Sequence, residues 1–173
     1  LFEHASTASS ADPSKAWSKA ALEHLKAVKQ SDFTDALQRW LPLMDKPRTT
    51  TLREGSYTEY REGSLVLTER SQLQLKGLCW MMGLVAADAS AARSSRRPDL
   101  ARLLGRTAIS AYRKVPGLGP RATKVGNAAV TALGMIPGMD SLGQLAVLRI
   151  KVKFGTAQKM IEKALLAAAA REN

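Results

Sequence analysis

The chain has 173 residues, a formal net charge of +11 and a single cysteine, so an internal disulfide is excluded. Hydrophobic residues make up 45% and charged residues 24%, a balance that excludes a disordered chain. No apolar run reaches the ~18 residues that a membrane span needs.

Taken in chain order, residues 1–13 are rich in Ala and Ser and read as a frayed lead-in. Asp12-Pro13 then marks a helix start. Trp17, Ala21, Leu25 and Val28 recur at three- and four-residue spacings and predict an amphipathic helix over 14–30. Ser31 or Asp32 is the expected cap of a second helix, with Phe33, Leu37, Trp40 and Leu41 on its apolar face. Pro42 ends or kinks it.

Residues 45–70 lose the helical period. They read as a long polar loop or insertion, with a short hairpin around "SYTEYREGS". Ser71 is the expected cap of "QLQLKGLCWMMGLVAADA", which is apolar nearly all round and therefore buried on several sides. A basic turn, Arg93 to Arg97, leads to a helix opened by Pro98. Leu100, Leu103, Leu104, Ala108 and Ala111 point inward there, with Arg102, Arg106 and Arg113 on the other side. Pro116-Gly117 stops it. Pro120 begins the next helix, which ends at Gly134 and Pro137-Gly138. Asp140 or Ser141 caps a further helix, and Thr156 the last. This reading gives about seven helices. The short links of the last four place them antiparallel, in HEAT-like pairs. The expected architecture is all-α, an irregular HEAT-like α-solenoid. It divides into a helical pair at 14–44, the loop at 45–70 and helical repeats at 71–171.

The charge is unevenly placed. Residues 1–92 hold 11 Lys/Arg and 11 Asp/Glu, whereas residues 93–173 hold 15 and 4. The entire excess lies in the second half, the pattern of a surface that meets an acidic partner, an acidic neighbouring domain or nucleic acid. Arg96, Arg97, Arg102, Arg106, Arg113, Arg121 and Lys124 form the candidate anion or partner surface. Arg149, Lys151 and Lys153 extend it. Only Tyr112 interleaves with these cations, so base stacking is not supported.

Dedicated chemistry is absent from the pattern. "KVPGLGPRATKVGNAA" has Gly117, Gly119 and Lys124 but no Gly-Lys-Ser/Thr and no preceding strand, so it is no P-loop. It reads instead as a reversal, with Arg121 and Lys124 pointing outward. Gly126 serves close packing, and Asn127 is expected to clasp the backbone of the preceding turn. His4, His24 and Cys79 do not have zinc-ligand spacing. His24 reads as solvated, and Cys79 as a small buried hydrophobe that suits a reducing compartment. The acids Glu54, Glu59, Glu62 and Glu69, with Tyr57 and Tyr60, are a second contact candidate. No cofactor and no catalytic group is expected. No signal-peptide pattern opens the chain, which suggests a cytoplasmic location, and Leu1 in place of Met suggests excision from a longer protein.

"LKGLCWMMGLVA", "YRKVPGLGPRATKVGNAAVTALGMIPG" and "AVLRIKVKFGTAQKMIEKALLAAAA" together resemble the helical region of bacterial proteins that carry the domain of unknown function 4132. Some of those proteins are labelled molybdate metabolism regulators, and some also carry a WGR module. The resemblance spans about residues 14–170 and implies an all-helical, repeat-like context without a transferable site. The function expected is a non-catalytic scaffold or interaction module that contacts an acidic partner or a domain of its parent. The alternative is nucleic-acid binding through the Arg/Lys surface of 93–124.

Overall fold

In the computed structural model the described residues are 1–55, 58–88 and 96–172, without the side chains of Thr58 and Arg96. Arg93 and Tyr57 therefore lie outside them. Most of the apolar stripes form helices. Ser14 caps α2 (Lys15–Lys26) by accepting the Trp17 amide at 3.1 Å. Next comes α3 (Gln30–Trp40), whose N-cap Lys29 makes no side-chain cap bond and lies two residues before Ser31, the nearer of the expected caps. Pro42 converts the end of α3 into a 3-10 turn at Leu41–Asp45.

The lead-in is not frayed. Phe2–Ser6 forms a short helix, α1, with Ala5 fully buried, as is Ala8 just beyond its end. It lies so close to α4 (Glu69–Ala87) that a Cβ on Gly77 would come within 2.2 Å of the Ala5 carbonyl oxygen. Ala and Ser hide this helix from a periodicity argument, because small residues bury little area while permitting close approach.

The polar segment after Asp45 holds a hairpin, placed earlier than the expected one around 56–64. Strand β1 (Leu52–Glu54) pairs antiparallel with β2 (Thr58–Tyr60), with Leu52 opposite Tyr60. Thr68, not Ser71, caps α4: its hydroxyl accepts the Ser71 amide at 3.0 Å. Lys76 is buried within α4. Its ammonium donates to the Ser10 carbonyl and sits 4.8 Å from the centre of the Trp80 ring. Burial, and then repulsion from Lys124, pull its pKa below the usual lysine value, against the pull of Asp12.

Four more helices complete the chain: α5 (Arg96–Tyr112), α6 (Thr123–Met135), α7 (Met139–Lys151) and α8 (Gly155–Glu172). Between α5 and α6, β3 (Lys114–Val115) pairs with β4 (Gly119–Pro120). Pro120 thus belongs to a strand and not to the helix it was expected to open. Gly117 and Gly119 hold φ of 78° and 88°, the left-handed backbone that the tight turn requires. The described residues hold eight α-helices, one more than expected, and α1 is the addition.

Packing follows a two-step order. Helix α4 lies against α6, α6 against α8, and α5 against α7, while α5–α6, α6–α7 and α7–α8 also touch. Helices two apart in sequence are therefore neighbours, as in stacked helical hairpins. The result is a mostly helical, repeat-like fold with two small β-hairpins. One core runs through it, with Trp80, Met81, Leu104, Leu133, Leu145 and Ile161 among its fully buried members. Cys79 belongs to it, and burial pushes its thiol up to about 12. Among the described residues, no helix is long and apolar enough to cross a membrane.

Candidate anion-binding surface

The cations of the second half divide into those the fold uses and those it leaves alone. Arg121 is the clearest correction. It does not point outward: its side chain is fully buried, and its Nη1 donates to Asp45 Oδ1 at 2.7 Å, the Met44 carbonyl at 2.8 Å and Ser110 Oγ at 3.0 Å. Arg113 reaches the same Asp45 oxygen at 3.3 Å from a more exposed position. Burial alone would raise the Asp45 pKa, but hydrogen bonds from Ser110 and Arg121, then the charges of Arg113 and Arg121, hold it below the ordinary value of 3.8. This cluster ties the 3-10 turn to α5 and to the start of α6.

Other cations serve helix ends. Arg97 donates from Nε to the Ala86 carbonyl at 3.0 Å and from Nη2 to that of Asp88 at 3.2 Å, closing the C-terminal turn of α4. Arg171 does the same for α6, donating to the Gly134 and Ile136 carbonyls at 2.8 Å each. Arg102 pairs with Asp99 at 2.7 Å, Arg149 lies 3.5 Å from Glu162, and Lys124 bonds Glu69 across 55 residues of sequence. The Lys124 contact, first by hydrogen bond and then by charge, lowers the Glu69 pKa. Glu69 therefore belongs to α4 and to this pair, not to an acidic loop cluster. Arg96 begins α5, and its side chain lies outside the described set. Arg102 and Arg106 are exposed along α5 as the spacing predicts, and Arg113, also exposed, lies one residue past its end. The row does not continue through Arg121.

Among the described residues, Arg106, Lys114, Lys151, Lys153, Lys159 and Lys163 make no ion pair. Three of them meet at one place. Lys114, Lys151 and Lys153 join Arg113 around a groove of about 530 Å³ between the end of α5, the β3–β4 hairpin and the α7–α8 joint. Its floor is apolar: Ile109, Tyr112, Pro120, Val152 and Phe154. No acid lines it.

The floor is held firmly. A Cβ on Gly126 would lie 2.7 Å from the Tyr112 ring, so only Gly lets the ring lie flat on α6. The Tyr112 hydroxyl then donates to Asn127 Oδ1 at 2.7 Å. Asn127 thus clasps a side chain and not the backbone of the preceding turn. Burial pushes the Tyr112 phenol up, so it stays a neutral donor. Phe154 tilts against Tyr112 with ring centres 6.3 Å apart. The hairpin wall is fixed by its strand pairing and by the Arg121 and Ala122 amides, which donate to the Arg113 and Ala111 carbonyls at 3.0 and 2.9 Å. Lys114, Lys151 and Lys153 were legible as charge. Val152 is legible as the last member of the apolar stripe of Leu142, Leu145 and Ala146, whereas Phe154 carries no signal beyond the alternation in "KVKF".

A second exposed feature adjoins this groove. Helix α7 buries Leu145, Leu148 and Val152 follows them into the core, yet Met139 and Ile150 are each 71% exposed and Val147 is 37% exposed. Met139, Gly143, Val147 and Ile150 fall at four-, four- and three-residue spacings on the opposite face, flanked by Arg149 and Lys151.

The two histidines meet near the N-terminus. His4 stacks on Trp17 at 4.7 Å and its Nε2 donates to the Trp17 carbonyl at 3.0 Å, with the His24 ring 5.1 Å away. Among the described residues, no group of three or more His, Cys, Asp or Glu is placed to hold a metal ion. No protein-family model, no curated protein and no solved structure matches this chain.

Proposed function

We propose that the chain is a HEAT-like interaction module, of the kind its sequence resembles in proteins with the domain of unknown function 4132, and that its basic half engages an acidic partner. The partner surface is the outer face of α7. The observation that carries this reading is that α7 is apolar on two opposite faces and only one is covered. The uncovered stripe of Met139, Val147 and Ile150 has Arg149 and Lys151 beside its C-terminal end and Asp140 beside its N-terminal end. In a stacked helical array such a face meets the next helix. An amphipathic helix with acids toward the end that meets Arg149 and Lys151, either in a separate protein or in a parent chain, suits both its apolar centre and its basic end. A second copy of this chain suits it less, because +11 would face +11.

The test uses a fluorescent helical peptide with a Leu stripe at three-four spacing and Glu on both flanks. It is expected to bind at low salt and to weaken as salt rises. Ile150→Glu is expected to weaken it about tenfold, the cost of placing a charge in a desolvated apolar contact. Absence of binding, or binding untouched by Ile150→Glu and Val147→Glu, overturns the reading. A mixed-sequence duplex that binds in place of the peptide, with a steep salt dependence, would move the function to nucleic acid.

A further inference from the structure

We infer that the groove between the end of α5, the β3–β4 hairpin and the α7–α8 joint is a binding site for a small organic anion with a flat aromatic body, such as an aryl phosphate, sulfonate or carboxylate. This site does not depend on the partner surface of α7, and either reading can fail alone.

Four observations converge on it. The volume of about 530 Å³ falls in the range of small-ligand pockets. Its chemistry is divided, with cations on the rim and apolar side chains on the floor. Of the four rim cations only Arg113 has an acid partner, Asp45; Lys114, Lys151 and Lys153 have none among the described residues, although elsewhere in the same half Arg102, Lys124 and Arg149 each find one. Finally, the floor is built before any ligand arrives. Tyr112 is seated on Gly126 and bonded to Asn127. The joint is pinned where the Val152 amide donates to Leu148 at 2.9 Å and Gln158 Nε2 donates to the Val152 carbonyl at 3.0 Å. A floor that need not reorganise loses little affinity to ordering.

The two halves of the chemistry select the ligand together. A bare inorganic anion would satisfy the rim and leave the half-buried Ile109, Pro120 and Phe154 against water. A neutral arene would cover the floor and leave the cations unmatched. A flexible acyl chain satisfies both but loses more rotational freedom, and two rings in the floor favour a flat aromatic edge or face. The Tyr112 hydroxyl is already committed to Asn127, so the charged rim, and not the phenol, reads the anionic group.

The experiment uses 8-anilinonaphthalene-1-sulfonate as a fluorescent probe and phenyl phosphate as a competitor. The probe is expected to brighten and blue-shift. Lys151→Glu with Lys153→Glu is expected to weaken it about tenfold, by replacing attraction with repulsion at short range. Lys19→Glu with Lys26→Glu, on α2, is expected to leave it unchanged, which separates local from overall charge. Phenyl phosphate should displace the probe where inorganic phosphate at equal concentration does not. On the unaltered protein, phenyl phosphate should move amide resonances of residues 109–120 and 151–154. An absent fluorescence response, resonances moved elsewhere, or equal sensitivity to both pairs of substitutions overturns the site. Displacement by inorganic phosphate makes it a plain anion patch, and stronger displacement by decanoate makes it an acyl-chain groove. Either result overturns the aromatic assignment.

Discussion

Two regions of the basic half treat the same charge in opposite ways. At the 3-10 turn, Arg121 is sealed from water and its charge is matched by Asp45, Ser110 and a backbone carbonyl. At the α7–α8 joint, Lys151 and Lys153 stand exposed beside Lys114 with no acid near them. A buried charge must be matched or the fold loses several kcal/mol, whereas an exposed one is matched by water at almost no cost. The first region therefore reports on what holds the molecule together. The second is free to report on what it meets.

The largest expected effect lies at Asp45. Asp45→Ala leaves the fully buried Arg121 without its carboxylate and should cost about 3 kcal/mol, read by urea denaturation. Arg121→Met should cost less, about 1–2 kcal/mol. Its partner is 41% exposed and can rehydrate, and the substitution also removes Nε and Nη2, which are buried without hydrogen-bond partners. The reverse order of these two costs would break the comparison. The pH dependence has a definite sign. The folded-state pKa of Asp45 is depressed, so its stabilisation is complete above 3.8 and is lost as pH falls below that value through the folded pKa. The gap between the native chain and Asp45→Asn should narrow over that acid window and stay constant above it.

Next comes the link between the two regions. Tyr112 ends α5 and floors the groove, and its ring rests on Gly126. Gly126→Ala gains about 1 kcal/mol of helix propensity but sets a methyl against a rigid ring, an overpacking cost of about 1–3 kcal/mol. The expected balance is a loss of about 1 kcal/mol in a chemical melt, together with a changed groove. A gain in stability would mean that the ring moves freely and that the floor is not preformed. Tyr112→Phe is smaller. It removes one hydrogen bond to Asn127, whose amide is partly exposed and can turn to water, so about 1 kcal/mol or less is expected.

The contrast explains which features were legible in the sequence. Helices α2 to α8 followed from three-four spacing, because burying one face is a local demand written in every turn. The row of Arg102, Arg106 and Arg113 was legible for the same reason. The fate of Arg121 was not, since its partner lies 76 residues away on a segment that reads as loop. The Tyr112–Asn127 clasp spans only 15 residues, but it depends on a hairpin that turns α5 back onto α6. Helix α1 escaped because Ala5 and Ala8 pack by smallness rather than by period. The apolar floor at Phe154 escaped because it forms only where three separate segments converge.

The smallest expected effect is also the sharpest test of the contrast. Lys151→Glu with Lys153→Glu should leave stability within about 0.5 kcal/mol of the native chain, since neither lysine has an ion-pair partner and both are exposed. The direction should depend on salt. Reversing two charges in a chain of +11 relieves self-repulsion, so the melting temperature should rise slightly at low ionic strength. The rise should vanish when added salt shortens the screening length to a few ångströms. A loss beyond about 1 kcal/mol would place these lysines with Arg121 among the groups that hold the fold. Unchanged stability joined to lost probe binding separates the roles: charge that the fold does not need, kept at a groove that something else can use.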